Sequence, residues 1–459
     1  MDLTTMYFRL PPFVRNAALS GYGFWQARKR FDRGFMYRYG RLMQSQWRDV
    51  GETQQWQMEQ LARLLEHACN HVPYYQRVFA EAGISPSDIT SVEDLTKIPL
   101  LTRESVASRF EDLCSDEMRA YRPVFCKTSG STGQKLRFYL PSELKWGLGS
   151  AVLWRFYSWG GVKPGDRRAT LGARVFTVRP PYWAWNKWEN QLLLSSHHLY
   201  PENLREYCAL LRRFRVVFIQ GHPSAIRVLA EHVLQEGRPI PMKAVFTTGE
   251  TIYDDDRVLI EKAFECDVLD SYGMGERAAE AQECAEHAGY HEVSEDCVIE
   301  MQPAGNGLYE IVGTSLLNFA MPFIRYRTGD LVQPTTSAQC KCRRGLPIRF
   351  TRVIGRVDDS LIFAGRTVLP VTVRMFMKPL LVPGENYRVI QEDETVVKVE
   401  LTGSVSALRA ARIREEFRAF VPEQVVIEVE HVDDLIGSNN KVRNVVNRLR
   451  LQERVTNLH

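Results

Sequence analysis

Lys127-Thr128-Ser129-Gly130-Ser131-Thr132-Gly133-Gln134-Lys135 runs directly into Leu136-Arg137-Phe138-Tyr139-Leu140, a small-residue loop ahead of a predicted strand. Glycines let backbone N–H groups wrap an anion, hydroxyls add donors, and Lys135 adds charge. No Gly-Lys pair stands at the offset from the first glycine that a Walker A loop requires. On its own the segment is equally readable as a flexible Ser/Gly turn. What lies downstream decides between the two.

From Ala151 to about Val268, apolar patterns of helical period alternate with short β-rich runs such as Val216 to Ile219 and Ala244 to Thr247. This is the pattern of an α/β fold, with helices packed on a layered sheet. Upstream, Phe24 to Trp56 is rich in Arg, Tyr and Gln and leads into Met58, Leu61, Leu64, Leu65 and Ala68 at helical spacing. The spacing predicts a helical lead-in. Beyond Asp359 the texture changes to strand-like Tyr387 to Gln391 and Val396 to Leu401, a helix over Ser406 to Phe420, then strand-like Val425 to Val432. That order reads as a small α+β domain. The expected division is residues 1–357 for a large N-terminal domain and 358–459 for a small C-terminal one, with the boundary near Asp358.

Length and composition agree with a folded chain of more than one domain. The 459 residues are 44% hydrophobic, 25% charged and 11% aromatic, and a single core seldom grows beyond about 300 residues. Lys and Arg number 59 against 55 Asp and Glu, with the signs mixed along the chain, which argues against nucleic acid as a partner. The early charge-free run Asn16 to Ala27 is too short to span a bilayer, and no secretory cleavage pattern follows Arg9. A cytoplasmic protein without a transmembrane segment is expected. Nine cysteines, an odd number scattered over a long chain, do not form a secreted disulfide framework.

Four further segments follow the loop in order: Thr247-Thr248-Gly249-Glu250, Ser271-Tyr272-Gly273-Met274-Gly275-Glu276, Tyr326-Arg327-Thr328-Gly329-Asp330-Leu331, and Gly355-Arg356-Val357-Asp358-Asp359. Together with Thr128 to Gly133 they resemble the adenylate-forming superfamily of acyl-CoA and aryl-CoA ligases. Within it, His67-Ala68 with Val72-Pro73-Tyr74-Tyr75, and Asp94-Leu95 with Ile98-Pro99-Leu100-Leu101-Thr102, are similar to the N-terminal pattern of the phenylacetate-CoA ligase and CapK-like branch. Each motif alone is weak. Five in family order, over about Leu61 to Leu449, are specific.

The resemblance implies a division of labour. Joining a carboxylate to the α-phosphate of ATP brings two anions together, so the site must neutralise charge and hold the attacking oxygen in line with departing pyrophosphate. Thr128, Ser129, Gly130, Ser131, Thr132 and Gly133 would wrap the phosphates. Glu276 would help hold Mg²⁺, Tyr272 would lie beside the adenine with Gly273, and Gly249 and Glu250 would line the nucleotide pocket. Asp330 would accept from both ribose hydroxyls, with Arg356 nearby. Two departures stand out: Gly275 replaces a common Thr or Ser, and the loop ends Gln134-Lys135 instead of Lys-Pro.

In Gly437-Ser438-Asn439-Asn440-Lys441, Lys441 resembles the family's late catalytic lysine, with Asn440 in place of the usual glycine. Asn tolerates left-handed backbone geometry better than most residues. Asp358 matches the hinge about which the small domain swings.

Cys340-Lys341-Cys342 is a tight C-x-C pair, and Cys284, His287 and His291 follow the Glu276 motif. Thiolates and imidazole suit tetrahedral Zn²⁺, and the CapK-like branch shows a similar arrangement. The expected ligands are Cys284, His291, Cys340 and Cys342, with His287 in reserve. Four protein ligands leave no open position, so the zinc would be structural. Aromatics at Tyr182, Trp183, Trp185 and Trp188, with Gln220 to Ser224 after a strand, lie near the acyl pocket by resemblance; packing or an interface explains them equally well.

The expected function is ATP-dependent activation of a carboxylic acid, aromatic or otherwise bulky, to an acyl-adenylate, then thioester formation with coenzyme A. One alternative transfers the acyl group to an amine or hydroxyl; another, of a different class, is a nucleotide-binding scaffold without turnover. Partners are the small-molecule acid and coenzyme A or another acceptor, with a homodimer left open.

Overall fold

The computed structural model describes residues 12–128, 136–172, 180–335, 340–356, 360–363, 366–368, 370–382, 385–418, 421–433, 435 and 444–449. The lead-in is helical, as its spacing predicts: α1 is Pro12–Arg30, α2 Phe35–Ser45, α3 Val50–His71 and α4 Pro73–Ala82. Asp49 starts α3 by accepting from the Glu52 backbone N–H at 2.8 Å, while the Glu52 carboxylate accepts in return from the Asp49 N–H, a reciprocal cap of two orphan donors. Leu61, Leu64, Leu65 and Ala68 then bury one face of α3 in the first core. A short α5, Arg103–Ser108, follows, capped by Thr102.

Strands β1 (Pro123–Lys127) and β2 (Arg137–Pro141) pair antiparallel on either side of the glycine-rich loop. Helix α6, Gly149–Trp159, leads into the main sheet. Its strands are β3 Arg168–Leu171, β4 Trp183–Asn186, β5 Gln191–Leu194, β6 Phe218–Gly221, β7 Ala244–Thr248, β8 Val268–Gly273, β9 Glu280–Glu283, β10 Tyr290–Glu292, β11 Cys297–Gly305, β12 Leu308–Ser315, β13 Tyr326–Pro334 and β14 Ile348–Arg356. They lie in the order β11-β12-β13-β14-β10-β9-β8-β7-β6-β3-β5-β4. Strands β5, β3, β6, β7 and β8 run parallel, each neighbour to the next. Helices α7 (Pro201–Arg213), α8 (Pro223–Gln235) and α9 (Asp254–Phe264) supply the crossovers that parallel pairing requires. From β8 onward the sheet is antiparallel.

The C-terminal part is a small α+β unit. β15 (Leu361–Phe363) pairs with β16 (Arg366–Val368), and α10, Pro370–Met377, follows. β17 (Tyr387–Gln391), β18 (Val396–Leu401), β19 (Val426–His431) and β20 (Val445–Asn447) form a sheet in the order β19-β18-β17-β20. Along β18 exposure alternates, with Val397, Val399 and Leu401 buried, the period-2 pattern of a strand with one face on a core. Helix α11, Ala407–Arg418, covers that face with Ile413 and Phe417. Arg374 of α10 reaches α9, donating to Asp256 at 2.5 Å and lying 3.8 Å from the centroid of the Tyr253 ring. Residues 357–359, where the domain boundary is expected, lie outside the described residues. The fold is thus α/β, a large layered N-terminal part followed by a small α+β C-terminal part.

Candidate active site and candidate metal centre

Strand ends carry the motifs. Thr128 follows β1, Gly249 and Glu250 follow β7, Tyr272 and Gly273 end β8, Asp330 lies on β13 and Arg356 ends β14. In open α/β sheets, ligands bind beyond the carboxyl ends of the parallel strands, which is where β7 and β8 deliver their residues. Thr128 closes its loop from both sides: its N–H donates to the Leu136 carbonyl at 2.9 Å, and its hydroxyl accepts from the Leu136 N–H at 3.0 Å. Ser129, Gly130, Ser131, Thr132 and Gly133 lie outside the described residues, as do Asp358 and Lys441.

Tyr272, Asp330 and Arg356 meet directly. The Tyr272 hydroxyl donates to Asp330 Oδ2 at 2.8 Å, and Arg356 Nε donates to Asp330 Oδ1 at 3.1 Å. Antiparallel pairing sets Asp330 opposite Arg356, so the register itself brings the charges together. Gly329, at φ +76°, turns the chain ahead of Asp330. Glu276, 5% exposed, sits in the turn between β8 and β9. Burial pushes its carboxyl up, while the charges of Arg103 and Arg356 favour the ionised form and Asp330 opposes it. Beside it, a Cβ on Gly275 would meet only the Phe138 ring at 3.5 Å, so space does not account for the missing hydroxyl residue. Glu250 accepts from the Ser224 N–H at 3.2 Å at the start of α8, which favours negative charge.

Several supporting residues carry no motif. Glu310 on β12 accepts from Arg327 Nε at 2.9 Å and from the Gly329 N–H at 3.1 Å, and Thr328 donates to the Ile311 carbonyl at 2.8 Å, so the turn before Asp330 is held on both sides. Arg103, next to the quoted Thr102, supplies the charge facing Glu276 and Tyr326. Its neighbour in the motif was the only sequence signal. Asp270 on β8 accepts from Tyr290 at 2.7 Å and from Thr247. Full burial is the main cause that pushes its carboxyl up to about 7.

Cys284, His291, Cys340 and Cys342 converge, with one ligand atom from each within 4.8 Å of the others. Cys284 Sγ is 3.6 Å from Cys340 Sγ, and Cys342 Sγ is 3.5 Å from His291 Nε2. Donors about 2.3 Å from a tetrahedral zinc lie at about such separations. His291 Nδ1 bonds the Leu346 carbonyl at 2.8 Å, which turns Nε2 toward the sulfurs. Hydrogen bonding from Cys284, then from His291, holds the Cys342 thiol well below its ordinary value. His287 instead pairs with Glu283 at 3.1 Å and with Arg257 at 3.1 Å. Cys297 is buried in β11, and burial pushes its thiol up. The C-x-C segment is tied to the lead-in: the Gly345 N–H donates to the Gln46 carbonyl at 2.9 Å. A Cβ on Gly345 would stand 1.5 Å from the Arg48 carbonyl oxygen, so only glycine permits that approach.

The aromatic cluster makes packing contacts with neighbouring elements. Trp185 stacks on Phe214 at 4.5 Å, Tyr182 on His198 at 3.8 Å, and Trp188 meets Phe24 of α1 at 4.7 Å. Trp183 donates to Glu206 at 2.8 Å. β4 is one of the two edge strands of the main sheet.

The fold has counterparts among solved structures. A solved 2-hydroxyisobutyryl-CoA ligase, in the postadenylation state with R3-HIB-AMP, superposes with a TM-score of 0.64 at 20% identity over 90% of this chain and 94% of that one. No family model matches the chain. Among curated proteins it is 25% identical over 366 residues to Protein CapK of Staphylococcus aureus, covering 78% of this chain and 79% of that protein. It is 26% identical over 394 residues to phenylacetate-coenzyme A ligase of Thermus thermophilus, covering 82% and 85%. The chain is therefore similar to the CapK and phenylacetate-CoA ligase proteins, the branch that its motifs resemble.

Proposed function

We propose that this protein activates a carboxylic acid with ATP, releasing pyrophosphate and forming an acyl-adenylate, and then transfers the acyl group to the thiol of coenzyme A with release of AMP. The observation that carries the reading is the meeting of Tyr272, Asp330 and Arg356 at the strand ends, beside buried Glu276 and in the family order of motifs. In the first step a carboxylate oxygen attacks the α-phosphorus and the bond to pyrophosphate breaks. Asp330 offers the ribose a carboxylate that can accept from two hydroxyls. Arg356 balances that charge. Glu276 is the residue that would hold Mg²⁺, which when bound neutralises phosphate charge. Glycine-rich residues Thr128 to Gly133 wrap the phosphates, and Lys441 supplies the cation that stabilises the transition state.

We divide the chain into domains 1–357 and 358–459, with Asp358 as the hinge, and place the reaction in the cytoplasm; among the described residues no helix is long and apolar enough to cross a membrane. Cys284, His291, Cys340 and Cys342 fit a closed zinc shell that fastens the C-x-C segment to β10 and the end of β9. Product mass spectrometry with a broad acid panel, with and without coenzyme A, tests the acceptor: an acyl-CoA product supports a thioester ligase. An amide or ester formed instead from an added amine or alcohol assigns the alternative acceptor.

A further inference from the structure

Helix α3 ends in a second cluster of metal-ligating side chains, unrelated to the cysteines. His67 and His71, one turn apart, have ring centroids 5.0 Å apart, and Glu117 approaches from the segment that follows α5, its Oε2 3.8 Å from His71 Nε2. One ligand atom from each of the three lies within 4.8 Å of the others.

Hydrogen bonding settles which nitrogens are available. His67 Nε2 lies 2.9 Å from the Phe319 carbonyl; a carbonyl only accepts, so this nitrogen carries the proton and Nδ1 keeps its lone pair in the neutral ring. His71 Nδ1 lies 3.0 Å from Asp116 Oδ1, so it donates and Nε2 keeps the lone pair. Each imidazole thus has an oxygen partner on one nitrogen and a lone pair on the other, which is how metal-binding histidines are commonly prepared. The His67 ring is further held edge-on against Tyr121 and Phe319 at 5.8 and 5.2 Å. The facing segment is anchored as well: the Asp116 N–H donates to the His71 carbonyl at 3.0 Å, and the Ser115 N–H to the Ala320 carbonyl at 3.1 Å. Donors that share one ion at about 2.0–2.2 Å stand about 3–4 Å apart, which the 3.8 Å gap between His71 and Glu117 meets.

We propose that His67, His71 and Glu117 form a binding site for one divalent transition-metal ion of the class that favours imidazole, with Asp116 and the Phe319 carbonyl as orienting partners. Two imidazoles and a carboxylate suit Zn²⁺, Ni²⁺ or Cu²⁺ better than Mg²⁺ or Ca²⁺. The ion would clamp the last turn of α3 to the segment carrying Glu117, stabilising the folded chain by mass action.

Calorimetric titration of the full chain with Ni²⁺ tests the site, in the wild-type and Cys342→Ser backgrounds. One equivalent is expected in both, without the intense thiolate-to-metal absorption that a cysteine site gives. His71→Ala should weaken it by at least about tenfold, Glu117→Gln should weaken it less, and neither should change the metal-free melting temperature by more than about 2 °C. If Cys342→Ser does not fold, the absorption spectrum of the wild-type nickel complex separates the sites. Nickel binding that His71→Ala leaves unchanged, a spectrum dominated by thiolate absorption, or no nickel binding by the wild type would overturn the proposal.

Discussion

Tyr272 and Asp330, 58 positions apart, are joined by a hydrogen bond of 2.8 Å, phenol to carboxylate. Because Arg356 engages the other carboxylate oxygen, Asp330 is held in one orientation before any nucleotide arrives, and preorganised charge is what such a site exploits. Asp330→Ala is expected to weaken ATP binding by at least about tenfold, the scale of a hydrogen bond to a charged group. Tyr272→Phe keeps the carboxylate and removes only its orienting donor, so a change of a few fold is expected. Calorimetric ATP titration of both variants checks the order of the two effects.

Asp270 makes stability depend on pH in a defined direction. Its carboxyl is pushed up from 3.8 to about 7 by burial, so between those values the folded chain keeps a proton that the unfolded chain releases. The contribution is complete below about pH 4 and is lost as pH rises through about 7. Asp270→Asn cannot titrate, so its melting temperature relative to wild type should rise across that window. Parallel melting curves at several pH values measure the difference, which cancels the titration of other buried acids.

The metal centre gives a third prediction. Purified protein should carry about one zinc per chain in the cysteine cluster, and Cys342→Ser should lose it because the shell is incomplete. Since the Gly345 N–H is bonded to Gln46, losing the metal should also loosen α2 and α3, lowering the melting temperature by more than about 5 °C. Activity should fall only as far as folding does. Elemental analysis beside a melting curve reads both.

How much was legible in the sequence depended on how local the signal was. Strands Tyr387–Gln391 and Val396–Leu401 were readable to the residue, and along the second alternating exposure writes itself into alternating side chains. The strand after Val216 begins two residues later, at Phe218; a buried parallel strand is apolar throughout and carries no period to mark its ends. Cys284, His291, Cys340 and Cys342 were chosen by residue type, but only the sheet places them together and turns His287 to Glu283. Glu310 and Asp270 were invisible for the same reason: each acts through partners distant in sequence. At Tyr182 to Trp188 composition does not separate a pocket wall from packing, and the fold adds that Trp185 stacks on Phe214 and Trp188 meets Phe24.

Lys441→Ala is expected to lower adenylation by at least about 100-fold, the scale of losing one charge-stabilising group, with little change in ATP binding or melting temperature. Thioester formation from preformed acyl-adenylate should persist, because the resemblance assigns that step to another face of the small domain. Single-turnover assays of the two half-reactions check this. Equal loss in both would assign Lys441 to folding or to a different role.

The central claim is that an acid and ATP react on this protein to give an adenylate and pyrophosphate. Its most direct measurement is acid-dependent exchange of labelled pyrophosphate into ATP, run over a broad acid panel without coenzyme A. Exchange that appears with a particular class of acid and disappears in Glu276→Ala is the predicted result. Tight ATP binding with no exchange for any acid would contradict the enzyme and leave a nucleotide-binding scaffold.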